Sequence, residues 1–309
     1  MWILMDKPNM KVNIAGVEWK NPVTTASGTF GFGREYAKFF DLGCLGAICL
    51  KSLSAIKRAG NEAPRIAETP FGMLNSVGLQ NPGAEAFLNS ELEALRQFDT
   101  KLIANICGSA VEDYIEVTNI LGDSVDMLEL NISCPNVKEG GMAFGTDAGM
   151  IYDITRRVKD VARVPLIVKL SPNVTDIAEM AKAAEEGGAD ALSLINTLLG
   201  MRIDIETKRP VLNNNFGGLS GPAVRPVAVR MVYQVRQAVE IPIIGMGGIA
   251  TGEDAIEFML AGANAVAVGT AGFVDPMAWV KVRDGIEEYL MRNGIEDVND
   301  IVGKVVMNS

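Results

Sequence analysis

The sequence predicts an α/β protein that folds as a (β/α)8 TIM barrel, with an N-terminal β-hairpin and loop insertions at the active-site face. The chain contains eight short runs rich in Val, Ile, Leu or Ala, and a helical pattern follows most of them. Continuous apolar runs are typical of parallel strands that are buried on both faces. Eight such units in 309 residues favour a closed barrel. The alternative is a doubly wound open sheet, but the G-x-G-x-x-G turn expected of that fold does not occur in the sequence.

The predicted elements follow one another in a regular order. A hairpin over Met10–Trp19 precedes the first strand. The eight predicted strands are Pro22–Ala26, Leu45–Leu50, Lys101–Ile106, Asp126–Leu130, Pro165–Leu170, Ala191–Ile195, Ile241–Met246 and Ala263–Val268. Apolar residues recur with helical spacing at Tyr152–Val161, 175–188, Pro226–Val239 and 251–262. No internal repeat or linker interrupts this order, so residues 1–309 are predicted to form a single barrel domain.

Three predicted connections are longer than a plain barrel needs. They run over Ser52–Ser90, Ser133–Asp147 and Thr197–Arg225. Each connection follows the C-terminal end of a strand, which is the face where barrel enzymes build their active sites. We therefore expect the insertions to shape a site at this end of the barrel.

Composition excludes several classes of function. The formal net charge of −10 argues against nucleic-acid binding, which needs a basic surface. The chain has no histidine, which excludes Ser-His-Asp and Cys-His catalysis and every histidine-based metal site. Its four cysteines include no C-x-x-C pair, so no metal or iron–sulfur cluster is predicted within the chain. Any proton transfer must therefore use another side chain.

The cysteine usage and the hydropathy pattern indicate a cytoplasmic protein. Four cysteines in a chain of this length do not form a disulfide framework, and a reducing compartment fits them. No segment reaches about 18 uninterrupted apolar residues, the length that a membrane span requires. The segment Met1–Pro8 is also too short in apolar residues to be a signal peptide. We expect no membrane association.

Polar residues and glycines stand where the predicted strands end. These strand-end residues are Ser27, Lys51, Asn105, Asn131, Lys169, Asn196, Gly247 and Gly269. In a barrel these positions converge on one mouth, although polar residues also end strands at ordinary protein surfaces. Lys169 is the most informative of them, because it lies within an apolar run and a buried lysine needs a partner. An anionic ligand would supply that partner.

Glycine-rich turns follow the last two predicted strands. Gly245–Gly248 and Gly269–Gly272 let backbone N–H groups approach a phosphate, and Gly217–Gly221 offers a third such approach. These glycines could instead serve only as turn residues. Phosphate binding is also common to many barrels and does not identify a reaction.

A single cysteine is placed for chemistry. Cys134 lies in the loop Asn131–Asn136, just after the fourth predicted strand and beside two amide side chains. A thiolate is a competent base when its pKa falls toward neutrality, which nearby lysines would favour. An inert buried cysteine is the simpler interpretation for Cys44, Cys49 and Cys107.

Four motifs together resemble class 1 dihydroorotate dehydrogenase, and the resemblance extends from Val12 to Met307. The motifs are Asn131–Gly141, Asn75–Pro82, Ala26–Gly31 and Ile195–Thr197, and the stretch Val137–Thr146 resembles the NAD-linked 1B branch. The resemblance implies FMN at the mouth of a barrel and oxidation of dihydroorotate to orotate, a step of pyrimidine synthesis. It also implies that Cys134 takes the proton from C5 while the C6 hydride passes to the flavin.

The resemblance implies two sets of binding residues. The predicted FMN contacts are Ser27, Lys51, Ser52, Asn105, Asn131, Lys169, Ile195, Gly221, Gly247, Gly248, Gly269 and Thr270, the last five around the phosphate tail. The predicted substrate contacts are Lys51, Asn75, Ser76, Val77, Gly78, Leu79, Asn131, Asn136, Asn196 and Thr197. Lys51 would lie between substrate and flavin, and Lys169 would stabilise the anionic reduced ring.

The resemblance also implies partners. In the 1B branch, a homodimer of this chain joins an electron-transfer subunit with FAD and [2Fe-2S] in a heterotetramer that reduces NAD. The membrane-bound class 2 enzymes use a serine base and an N-terminal membrane element, so Cys134 and the short N-terminal segment argue against that class. Three alternatives stay open: a flavin barrel for another dihydropyrimidine, a dihydrouridine synthase, which the acidic charge disfavours, and a non-catalytic flavin-binding subunit.

Overall fold

The computed structural model describes residues 7–133 and 144–308 of the chain. The strands in this part are β1 (Val12–Ile14), β2 (Val17–Trp19), β3 (Val23–Thr25), β4 (Ala47–Cys49), β5 (Ile66–Thr69), β6 (Gly72–Asn75), β7 (Lys101–Ile106), β8 (Met127–Asn131), β9 (Leu166–Lys169), β10 (Ala191–Leu194), β11 (Leu198–Gly200), β12 (Ile203–Asp204), β13 (Arg209–Pro210), β14 (Gly217–Ser220), β15 (Ile243–Met246) and β16 (Ala265–Val268).

The α-helices in the same part of the chain alternate with the strands. They are α1 (Ala84–Ser90), α2 (Leu92–Leu95), α3 (Val111–Leu121), α4 (Ala148–Lys159), α5 (Ile177–Glu186), α6 (Arg225–Arg236), α7 (Gly252–Ala261), α8 (Ala271–Val274) and α9 (Ala278–Asn293). Side-chain caps define several of the starts, as where Asp176 accepts from two backbone N–H groups of α5. None of these helices is both long enough and apolar enough to cross a membrane.

Eight parallel strands form the central sheet, in the order β3-β16-β15-β10-β9-β8-β7-β4. Each is a short apolar segment of the kind predicted, and most of their side chains are fully buried. The sheet's first and last strands, β3 and β4, are joined by a backbone bond from Gly46 N–H to Val23 O. The Thr25 hydroxyl adds two side-chain hydrogen bonds between the same strands, because it accepts from Cys49 N–H at 2.9 Å and donates to Cys49 O at 2.8 Å. The (β/α)8 barrel prediction is confirmed.

The predicted N-terminal hairpin is present as β1 and β2, which pair antiparallel with Ile14 opposite Val17. Ala15 and Gly16 form the turn, and both have positive φ, as a two-residue hairpin loop of this kind requires. Ile14 and Trp19 are fully buried, so the hairpin packs its apolar face against the barrel core. Gly46 must be a glycine where this region meets β4, since a Cβ there would lie 1.9 Å from Asn21 O.

Two of the predicted long connections form a second sheet that the sequence analysis did not predict. The strands β11, β14, β6 and β5 pair antiparallel in that order. Gly218 of β14 lies opposite Asn75 of β6, which joins segments far apart in the sequence. The strands β12 and β13 form a separate small hairpin. Most of the third predicted connection, Ser133–Asp147, lies outside the described residues, and helix α4 begins directly after it.

Candidate functional site

The interior of the barrel near the strand ends is unusually polar. Ser27, Ser52, Asn105, Asn131 and Lys169 are all buried. Ser52 was predicted from the resemblance alone, and the other four also from their place at a strand end. Buried polar side chains are informative because they cost free energy unless they find partners. Their partners therefore define the site.

Strand register brings this polar group together. Asn105 lies opposite Glu129 across β7 and β8, and Asn131 lies opposite Lys169 across β8 and β9. Ser193 of β10 lies opposite Lys169 on its other side. Glu129 and Asn131 are two residues apart in one strand and so point to the same face.

Lys169 has an ion-pair partner within the chain itself. Its Nζ lies 3.8 Å from Glu129 Oε2 and donates a hydrogen bond to Ser27 Oγ at 3.4 Å. Both charged side chains are almost completely buried. A bound anion was predicted as the partner of Lys169, and the structure shows that the Glu129 carboxylate is one such partner.

Asn105 has one satisfied side-chain atom and one unsatisfied atom. Its Nδ2 donates to Glu129 Oε2 at 2.5 Å, which fixes the orientation of the amide. Its Oδ1 is buried and has no hydrogen-bond partner among the described residues. An unpaired buried acceptor of this kind is costly, so it favours a ligand or water that donates to it.

Asn131 and Asn196 form a small amide cluster at the start of the cysteine loop. Asn196 Nδ2 donates to Ser133 Oγ at 2.8 Å and to Asn131 Oδ1 at 3.3 Å. Asn196 Oδ1 accepts from the backbone N–H of Thr197. The Tyr114 hydroxyl, from helix α3, donates to Asn131 O at 2.8 Å. The chain is therefore anchored up to Ser133, whereas the predicted base Cys134 and the predicted substrate contact Asn136 lie outside the described residues.

The predicted substrate segment Asn75–Leu79 begins at the end of β6 in the second sheet. Asn75 Nδ2 donates to Gly218 O, and the backbone carbonyl of Ser76 accepts from Asn61. The hydroxyl of Ser76 is buried with no partner in the described structure. Gly78 and Leu79 both have positive φ, which gives this segment a tight turn after Val77.

The remaining predicted cofactor residues differ in their settings. Lys51 follows β4 and is half-buried, and its backbone N–H donates to Gly31 O at 2.9 Å. Ile195 follows β10 and donates its backbone N–H to Met246 O. Ile195 also lies next to Gly247, since a Cβ on that glycine would be 3.2 Å from the Ile195 side chain.

Three glycine turns meet beside these residues. A Cβ on Gly248, after β15, would lie 2.8 Å from Gly221 O, after β14. The Thr270 hydroxyl, which follows Gly269 at the end of β16, donates to Ser220 Oγ at 2.8 Å. Gly221, Gly247 and Gly248 all have positive φ. This glycine cradle suits a group that accepts hydrogen bonds from backbone N–H groups and needs neighbours without side chains.

Two other glycines of the predicted phosphate approach have a different role. Gly217 and Gly218 lie within strand β14, and a Cβ on Gly218 would stand 2.0 Å from Thr197 Oγ1. These two glycines are required for close strand packing. Of the segment Gly217–Gly221, only its last residue, Gly221, belongs to the cradle.

Comparison with known proteins supports one family over nearly the whole chain. The family model of dihydroorotate dehydrogenase matches residues 9–290. The chain is 63% identical over 302 residues to the protein of Alkaliphilus oremlandii named dihydroorotate dehydrogenase B (NAD(+)), catalytic subunit, covering 97% of this chain and 100% of that protein. The proteins of the same name from Alkaliphilus metalliredigens and Geobacillus kaustophilus are 61% and 57% identical, covering 97% and 96% of this chain and 100% and 95% of their own lengths.

The chain belongs to the dihydroorotate dehydrogenase family. The predicted resemblance, including its NAD-linked 1B branch, is confirmed by these relatives. The roles assigned to individual site residues are not tested by the comparison and stay predictions.

Within this family member, the three described cysteines fit the interpretation of inert thiols. Burial raises the pKa of the Cys44 thiol, which is half-buried. Burial, followed by the negative charge of Glu129, raises the pKa of Cys49 well above its usual range. Cys107 is also buried. Cys44 and Cys49 therefore do not readily form thiolates, and the predicted base, Cys134, lies outside the described residues.

One acidic residue in this dehydrogenase's polar interior, Glu129, was not among the predicted site residues. Glu129 accepts from Asn105, from the Cys49 thiol at 3.3 Å and from the Ser193 hydroxyl at 2.7 Å. The signal was available, because Glu129 is a charged residue inside an apolar run, as Lys169 is. It lies two residues before Asn131, and only the strand-end positions were predicted to face the mouth.

Proposed function

We propose that this chain oxidises dihydroorotate to orotate in de novo pyrimidine biosynthesis, using FMN bound at the mouth of the barrel. The observation that carries the proposal is the convergence of buried Lys169, Asn105 and Asn131 on one mouth, in a chain of the dihydroorotate dehydrogenase family. We further propose that residues 1–309 form a single FMN-binding barrel domain.

The described residues fit FMN. The unpaired Oδ1 of Asn105 offers an acceptor, and buried Lys169 offers a positive charge. The glycine cradle offers backbone donors for a phosphate. We assign the ring to Ser27, Lys51, Ser52, Asn105, Asn131, Lys169 and Ile195, and the phosphate tail to Gly221, Gly247, Gly248, Gly269 and Thr270. When bound, FMN supplies a ring that accepts a hydride.

Amide side chains and one lysine would bind the substrate. Dihydroorotate carries ring amides and a carboxylate, and amide side chains provide both donors and acceptors for such a ring. We assign these contacts to Asn75, Ser76, Val77, Gly78, Leu79, Asn131, Asn136, Asn196 and Thr197. Lys51 supplies the positive charge that a carboxylate requires.

Cys134 would be the general base. Its thiolate would take the proton from C5 while the C6 hydride would pass to the FMN ring that accepts it, so that the C5–C6 double bond of orotate would form. The bonds from Asn196 to Ser133 and Asn131 support this role, because they hold the start of the loop that carries Cys134. Lys51 and Lys169 would favour the thiolate if the loop brings Cys134 to the mouth.

The relatives' shared name, catalytic subunit of an NAD(+)-linked enzyme, supports a partner. We propose that this chain forms a homodimer that joins a subunit with FAD and [2Fe-2S] in a heterotetramer, and passes electrons to NAD. Exposed apolar side chains on the second sheet and the β12–β13 hairpin support such interfaces. Cys44, Cys49 and Cys107 form no disulfide in the described part of the chain, which suits a reducing compartment and supports a cytoplasmic location.

Anaerobic flavin reduction tests the proposal. The purified chain is expected to be yellow, and dihydroorotate is expected to bleach it in the absence of oxygen. Dihydrouracil serves as the comparison substrate, because it lacks the carboxylate. A colourless chain that takes up no FMN would refute the flavin proposal, and faster bleaching by dihydrouracil would favour an enzyme for another dihydropyrimidine.

A further inference from the structure

Glu129 is a buried carboxylate that has no role in the proposed reaction. It lies in the middle of β8, is 3% exposed, and contacts side chains from four other strands or strand ends. Oε1 accepts from the Ser193 hydroxyl, while Oε2 accepts from Asn105 Nδ2 and from the Cys49 thiol. Oε2 also lies 3.8 Å from Lys169 Nζ.

Each polar partner of this carboxylate among the described residues is a donor or a cation. Three hydrogen-bond donors and one ammonium group surround two acceptor oxygens, so the arrangement matches a carboxylate that carries a negative charge. A purely structural polar group would need no charge here. Replacing it with an amide would remove the charge that faces Lys169 and leave one acceptor oxygen in place of two.

Two of the four partners are residues assigned to FMN. The bond from Asn105 Nδ2 to Glu129 turns the amide so that its Oδ1 is the atom left without a partner. The ion pair with Lys169 places a negative charge beside the one buried cation that the described interior residues supply near this cluster. Glu129 therefore acts on the proposed cofactor site through both residues.

We propose that Glu129 is a positioning residue that orients Asn105 and partly offsets the charge of Lys169, and thereby lowers the reduction potential of the bound flavin. The inference rests on the proposed function, because it requires FMN at this mouth. Reduction adds negative charge to a flavin ring, and a buried negative charge nearby opposes that change. A lower potential makes the reduced flavin a better donor to the next electron acceptor.

The test is the two-electron midpoint potential of the bound flavin, measured in the purified holoenzyme with redox dyes. We expect Glu129→Gln to move the reduction equilibrium at least tenfold toward reduced flavin, which corresponds to about 30 mV in the positive direction. Glu129→Asp keeps the charge and is expected to restore most of the wild-type potential. Ser193→Ala is the matched control, since it removes a donor to the same carboxylate without removing charge, and its potential is expected to be unchanged.

The same measurements define failure. An unchanged potential in Glu129→Gln, or an equal shift in Ser193→Ala, would overturn the inference. Glu129 would then have only a packing role, and its replacement would lower the melting temperature alone. If Glu129→Gln does not fold, the double variant Glu129→Gln/Lys169→Met is compared with Lys169→Met alone. The double variant is expected to have the higher potential by the same tenfold change, and equal potentials would overturn the inference. A wild-type chain that binds no FMN would instead refute the proposed function, and this inference with it.

Discussion

The barrel interior and the second sheet depart in opposite ways from the usual rule that polar side chains are exposed and apolar ones are buried. Beneath the mouth, Glu129, Lys169 and Asn105 are polar yet buried. On the antiparallel sheet and its neighbouring hairpin, Phe71, Leu199 and Ile205 are apolar yet largely exposed. Both departures are informative, since a soluble fold has no need of either. The first supports the proposed binding of a small ligand, and the second supports the proposed interface with another chain.

The largest effect is expected at the mouth. Cys134→Ala should leave FMN bound but slow flavin reduction by dihydroorotate by about 10²–10⁴-fold, the usual range for loss of a general base. Stopped-flow absorbance of the flavin under anaerobic conditions measures this rate. Cys134→Ser should retain more activity at high pH than at neutral pH, because a hydroxyl deprotonates far less readily than a thiol.

Cys44→Ala is the control for that experiment, because Cys44 is half-buried and lies outside the proposed site. Its reduction rate should match that of the wild type. If Cys134→Ala also reduced at the wild-type rate, Cys134 would have no part in the mechanism, and the polar interior would need a different base.

The next effect concerns stability and contrasts a buried ion pair with an exposed one. Lys169→Met leaves Glu129 as a buried charge without its cation, and should lower the free energy of unfolding by about 3 kcal/mol. Lys11→Met removes an exposed partner of Glu18 and should cost less than about 1 kcal/mol. Urea unfolding followed by circular dichroism measures both. Equal losses would mean that the donors around Glu129 compensate fully for the missing lysine.

The smallest effect on the chain itself is expected on the second surface. Ile205 is 80% exposed, so Ile205→Glu should change the free energy of unfolding by less than about 0.5 kcal/mol and leave flavin reduction unchanged. It should nevertheless weaken self-association, measured by sedimentation velocity over a range of concentrations. Val306→Glu, at a 90% exposed position near the C-terminus, is the control and should not change self-association. Identical sedimentation of the two variants would remove this surface from the proposed dimer.

The barrel could be predicted from the sequence because its signals are local. Each strand is an apolar run followed by a helical pattern, and a chain with eight such units has few alternatives. The strand ends then identify Lys169, Asn105 and Asn131 without any knowledge of three-dimensional contacts. Glu129 can be predicted from the same strands, because a charged residue inside a buried strand must have a partner.

The second sheet could not be predicted because its signals are neither local nor typical of strands. Its members are three or four residues long, and β14 contains two adjacent glycines that resemble a turn. Its register depends on pairing between two insertions that are distant in sequence, such as Gly218 with Asn75. The role of Gly218 also depends on the nearby Thr197 side chain, which the sequence does not reveal.

The Thr25 hydroxyl has a consequence for how the barrel opens. Between β3 and β4 it stands in for part of the backbone ladder, and it bonds both the N–H and the carbonyl of Cys49. A rotatable hydroxyl holds two strands together less firmly than backbone hydrogen bonds do. Transient local opening of the barrel should therefore start at this β3–β4 seam. The Cys49 thiol in turn reaches Glu129. Local opening of this seam would therefore also displace a donor to Glu129, and a ligand that binds at the mouth should make such opening rarer.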